Sequence, residues 1–107
     1  MRAPFPVADD PPRGLLVNFA RARIHDTNFR NRLRRALREH FGCVVHRKRP
    51  GLPESLVTRT ISRQIAYFQK CAVKFPKFRL ESDPRKFVRC CYRSVWRALF
   101  EEWKLRM

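Results

Sequence analysis

The chain has 107 residues, and its 25 Lys and Arg stand against 9 Asp and Glu, a net charge of +16 with a pI near 11.3. A hydrophobic fraction of 44% and an aromatic fraction of 12% exclude a bare basic tail, which holds few large apolar residues. They leave little chain for the deep pocket of a small-molecule enzyme. No run approaches the ~20 apolar residues that a membrane-spanning helix needs.

The positive charge is spread evenly over the two halves of the chain, so the partners expected are anionic: RNA, DNA, an acidic protein surface or an anionic membrane. Cys43, Cys71, Cys90 and Cys91 match neither a disulfide framework nor a zinc template. Free thiols in a reducing compartment are expected.

Residues 1–14, rich in proline and holding Asp9 and Asp10, read as an extended N-terminal arm, without the apolar run of a secretory signal. The rest, 15–107, reads as a single helical domain. Residues 15–24 are acid-free, with Leu15, Leu16, Phe19 and Ile24 apolar and Arg21 and Arg23 basic. They form either a short helix or an internal organelle-targeting segment.

Asp26 is placed to cap a helix over 27–41, and Gly42 to end it. Phe29, Leu33, Ala36, Leu37 and Phe41 recur at three- and four-residue steps and share one face. Arg34, Arg35 and Arg38 fall opposite. Residues 43–52 read as a connector, with a basic cluster ended by the Pro50-Gly51 turn signal.

Pro53 and Glu54 open a second long helix over 53–75. Val57, Ile61, Ile65, Phe68, Ala72 and Phe75 line its apolar face. Arg59, Arg63, Lys70 and Lys74 lie opposite, within roughly 60° on an ideal wheel. Pro76 stops this helix. Asp83 then caps a third over 84–106, with Pro84 at its first position. Val88, Cys91, Tyr92, Val95, Leu99 and Trp103 are its stripe, and Lys86, Arg93, Arg97 and Lys104 lie behind. No strand-period segment competes. The fold expected is all-α: three main amphipathic helices in a small bundle or open array, with the arm attached.

Each long helix thus has an apolar front and a basic back. A merely solvated face tends to mix signs, because Glu-to-Lys pairs four apart stabilise a helix. Here the pairs four apart are Arg34/Arg38, Arg59/Arg63, Lys70/Lys74 and Arg93/Arg97. Each like-charge pair costs about 0.2–0.5 kcal/mol, a cost that an anionic partner reverses. Of the 25 basic residues 19 are Arg, whose planar fork binds phosphate oxygens two at a time and stacks on bases.

The RNA-binding residues expected are Arg30, Arg34, Arg35, Arg38, Arg47, Lys48, Arg49, Arg59, Arg63, Lys70 and Lys74. They are read as phosphate contacts without base specificity. The segment Lys74-Phe75-Pro76-Lys77-Phe78-Arg79 interleaves basic and aromatic residues, as a base-stacking loop does. Phe75 continues the apolar stripe, and Phe78 is open to either role. Tyr92, Trp96, Phe100 and Trp103 give the last helix more large rings than a small core requires. They form either a protein interface or an ordinary core.

No catalytic constellation is expected, and neither a cofactor nor a metal. His25, His40 and His46 are scattered, and Cys43 with His46 is half a metal site without a second pair. His40 falls on an apolar face and reads as a packed core residue.

The heptad Cys91-Tyr92-Arg93-Ser94-Val95-Trp96-Arg97 resembles the signature of the LYR-motif family of small mitochondrial helical proteins, in which a Leu-Tyr-Arg triplet opens an apolar-basic helix. Cys91 stands in place of the Leu, and the triplet lies in the last helix instead of the first. The resemblance implies an assembly factor or accessory subunit of a respiratory complex or mitochondrial ribosome. In composition the chain is also similar to small Arg-rich proteins of mitochondrial ribosomes.

Two functions follow as expectations. The first is a non-catalytic structural subunit of a ribonucleoprotein, a mitochondrial ribosomal protein on the matrix side, bound to rRNA and to neighbouring protein subunits. The alternative is an accessory or assembly subunit of a respiratory-chain or ATP synthase complex, with acidic subunits or anionic lipid head groups as partners. Neither involves a small-molecule substrate or a transmembrane segment.

Overall fold

The computed structural model describes residues 11, 13–17, 19, 23–48, 51–74 and 83–106, without the side chains of 44–48, 73 and 74. Among the described residues the chain is all-α, with helices α1 (Arg13–Val17), α2 (Thr27–Lys48), α3 (Glu54–Lys74) and α4 (Pro84–Arg106).

Local chemistry starts the helices where the sequence says. The Asp26 carboxylate accepts the Asn28 amide at 2.9 Å, and its carbonyl accepts the Arg30 amide at 3.2 Å. The Asp83 carboxylate accepts the Arg85 and Lys86 amides at 3.1 and 3.2 Å. Each side chain satisfies donors that a helix N-terminus would otherwise leave bare. At α3 the Pro53 carbonyl takes the first helical amides, those of Leu56 and Val57.

Two boundaries differ from expectation. Gly42 does not end α2, which runs on to Lys48, so most of the expected connector is helical. The glycine with positive φ is Gly51, at 102°, in the turn before α3. Gly in a helix interior costs only about 1 kcal/mol, which the packing of a long amphipathic face readily exceeds. The expected helix over 15–24 is likewise shorter, Arg13–Val17. The chain leaves helical geometry before Ile24, whose carbonyl accepts the Gln69 side-chain amide at 2.9 Å. Of the expected arm, residues 1–10 and 12 lie outside the described residues, and Arg13 and Gly14 are helical.

The three long helices form an up-down-up bundle. Phe29 meets Phe87 near the starts of α2 and α4, while Phe41 meets Tyr92 and Trp96 farther along both, so these two helices run parallel. Arg30 of α2 reaches Gln69 near the end of α3, and Gln64 of α3 accepts the Ser94 hydroxyl of α4. Thus α3 runs antiparallel to both. It presents mostly β-branched and small residues, Val57, Ile61, Ile65 and Ala72, all buried, and packs closely on each neighbour. The space between α2 and α4 is filled instead by rings: Phe29, Phe41, Phe87, Tyr92 and Trp96. Close-packed interiors need this matching of large residues to wide gaps.

The leading segment covers one end of this core. Phe19 packs edge-on against Phe29 with centroids 5.3 Å apart, and the Arg32 guanidinium lies 5.2 Å over its ring. Ile24 is buried beside them, and α1 rests on α4.

Candidate nucleic-acid interface

A three-helix bundle turns the outer face of each helix in a different direction. On α2 the residues opposite the core are Asn31, Arg35 and Arg38; on α3 they are Arg59, Arg63 and Lys70; on α4 they are Lys86, Arg93, Arg97 and Lys104. All of them are exposed. The ridges therefore face outward from all three helices. Acids among the described residues sit mainly at helix ends, with Asp26, Glu54 and Asp83 at N-termini and Glu101 and Glu102 near the end of α4. Glu101 pairs with Lys104 at 3.8 Å, and Glu39 adds one acid midway along α2.

Arg30 and Arg34 differ from the other expected contacts. They lie one turn apart on the side of α2 that borders α3, and both are half-buried. Arg30 donates from Nη1 to the Gln69 side-chain oxygen at 3.5 Å, and Arg34 donates from Nη1 to Asn31 at 3.3 Å. Their Nε atoms are covered by the surrounding chain and have no hydrogen-bond partner among the described residues. Packed stems and tethered forks restrict both side chains, so less conformational entropy is lost when a phosphate binds the remaining donors. From the Arg30–Gln69 contact, antiparallel register puts Arg34 and Arg38 level with α3 positions near 65 and 61.

The remaining expected contacts are only partly placed. Arg47, Lys48 and Lys74 are helical in backbone, with side chains outside the description, and Arg49 and the loop residues Phe75 to Arg79 lie outside the described residues. The basic surface is broader than the expected set, since Arg32 and Arg89 are exposed too. Arg32 was obscured because it lies between the stripe and the ridge on a wheel.

The aromatic face of α4 requires a correction. Tyr92 and Trp96 are 3% and 4% exposed and belong to the core between α4 and α2, so neither offers surface to another subunit. The rings looked surplus because the width of the α2–α4 gap is invisible in one helix's pattern. Phe100 and Trp103 remain half-buried near the end of α4, with ring centroids 6.2 Å apart, and Lys104 lies over Phe100 at 5.5 Å. Leu105 beyond them is 81% exposed.

The titratable groups inside the bundle are tuned by burial. Nε2 of His40 lies 2.9 Å from the Tyr92 hydroxyl, and desolvation holds the His40 pKa below its usual 6.5. Burial raises Tyr92 and pushes the Cys91 thiol well up. Cys90 is raised by burial against the opposing pull of Arg93 and Lys86. All four cysteines are free thiols, with Cys43 exposed and Cys91 buried. The buried Cys91 thiol thus acts as a small core residue.

No helix among the described residues is long and apolar enough to cross a membrane. No protein-family model, curated protein or solved structure matches the chain.

Proposed function

We propose that this chain is a non-catalytic structural subunit of a ribonucleoprotein, held among RNA phosphates by the basic backs of its helices. The observation that carries the reading is the distribution of charge. Three same-sign ridges face outward in three directions, with few acids between them. A protein that docks on one face of a duplex needs one basic surface. A protein surrounded by folded RNA uses all of them, and in that setting each repulsive Arg/Arg pair becomes favourable. The half-buried Arg30 and Arg34 add two restrained forks suited to phosphate oxygens.

A protein neighbour completes the reading. Phe100 and Trp103 pair near the end of α4, both half-buried, where an adjoining subunit would complete their burial. The assignment to a mitochondrial ribosome on the matrix side rests on the Arg-rich composition and the Cys91–Arg97 heptad.

The test is the native particle. After co-sedimentation of the endogenous chain, ribonuclease treatment should release it. Retention in an RNA-free, detergent-solubilised complex would overturn the proposal and favour the accessory subunit of a respiratory-chain or ATP synthase complex.

A further inference from the structure

The outer groove between α3 and α4 differs from the rest of the surface in holding an exposed aromatic ring among cations. Tyr67 is 57% exposed, whereas most of the described rings are buried or half-buried. Arg63 stands one turn before it and Lys70 one turn after it, both exposed. Side chains three and four apart on a helix are neighbours, so the two cations flank the ring. The ring packs edge-on against its helix neighbour Phe68, with centroids 5.2 Å apart. More than half of the side chain thus remains open to solvent.

The floor of the groove is polar and already satisfied. Ser94 of α4 donates to Gln64 of α3, and Cys90, one turn earlier on α4, is level with Tyr67. The far rim is cationic as well. Lys86 and Arg93 stand one turn before and one turn after Cys90 on α4, and both are exposed. The groove therefore has cations on both rims, an uncharged floor and one exposed ring.

A base-paired duplex offers phosphates but no free base face to such a ring. A single strand offers both, and stacking of a base on an aromatic side chain is worth about 1–3 kcal/mol whatever the base. We propose that the α3–α4 groove takes an unpaired stretch of an RNA strand, one base lying on Tyr67 and the flanking phosphates on Arg63 and Lys70 and on Lys86 and Arg93. The proposal rests on the RNA-binding reading and narrows it, because the other basic surfaces are indifferent to pairing.

The test measures affinity of the full chain for a labelled single-stranded oligoribonucleotide and for a blunt duplex of the same sequence, with wild type, Tyr67→Ala and Tyr67→Trp. Thermal melting first establishes that the variants fold, as an exposed position should allow. Tyr67→Ala should weaken single-strand binding by roughly 5- to 150-fold, the range of one lost stack. It should leave duplex affinity and the salt slope unchanged, because no phosphate contact is removed. Tyr67→Trp should retain single-strand binding. If Tyr67→Ala binds the single strand as wild type does, or loses both ligands equally, the groove proposal is overturned while RNA binding stands. If wild type binds neither RNA, the reading beneath it fails instead.

Discussion

The His40 imidazole and the Tyr92 phenol meet at 2.9 Å across the α2–α4 gap, beside the ring of Phe41. A neutral ring sits there at low cost, and desolvation keeps the His40 pKa below 6.5. In the unfolded chain His40 titrates near its usual value. Above pH 6.5 both states are neutral and the group contributes no pH dependence. As pH falls through 6.5 the unfolded chain binds a proton that the folded chain resists, so stability declines until the folded pKa is passed. Melting temperature should therefore drop more for wild type than for His40→Gln between about pH 7.5 and 5. Equal drops would mean that His40 is not the group responsible.

Gly42 and Gly51 make a paired test of where α2 ends. At Gly42 the chain is helical and an added Cβ meets nothing within 4 Å. Gly42→Ala should raise stability by about 1 kcal/mol, seen as a melting temperature about 4–8 °C higher. At Gly51 the φ of 102° is strained for any side chain, so Gly51→Ala should destabilise by about 1–2 kcal/mol. Were Gly42 the C-cap that its place after the apolar stripe suggests, the first change would destabilise as well.

Asp83 organises the start of α4 by accepting two backbone amides. Asp83→Ala should cost about 0.5–2 kcal/mol in denaturant unfolding, and Asp83→Ser or Asp83→Asn much less. Equal losses for the three variants would assign the effect to charge near the helix terminus and not to capping.

Phe41 is fully buried and touches Tyr92, Trp96 and His40. Its truncation to Ala should cost about 3–5 kcal/mol, the range for a large ring lost from a core. Leu105→Ala, at a position 81% exposed, should stay within about 0.5 kcal/mol of wild type. A mild effect at Phe41 would show that α2 and α4 do not depend on the aromatic layer between them.

Much of the fold was legible because its signals are local. Three-and-four spacing located the stripes of α2, α3 and α4, and Asp26 and Asp83 followed by helix-compatible residues marked two starts. The wheel also turned His40 toward the apolar side, where it is half-buried against Tyr92 and not fully in the core. The rest depended on distances between elements. Gly42 looked like a stop because glycine often is one, yet its cost of about 1 kcal/mol in a helix interior is too small to end a long helix. Tyr92 and Trp96 looked like interface because the gap they fill belongs to two helices. Tyr67 carried no signal at all: one tyrosine between stripe and ridge becomes a candidate only when α4 supplies the opposite wall of a groove. The basic ridges were readable residue by residue, but their spread around the axis required the bundle.

The central claim is that the outward charge has a polyanionic partner, and the salt dependence of RNA affinity tests it most directly. If ~6–10 phosphates are neutralised, affinity should fall by roughly 10³-fold or more between 50 and 200 mM salt. The joint charge reversal Arg59→Glu and Arg63→Glu should flatten that slope. A wild-type affinity that is flat with salt, or no binding at low salt by a folded monomer, would contradict the account.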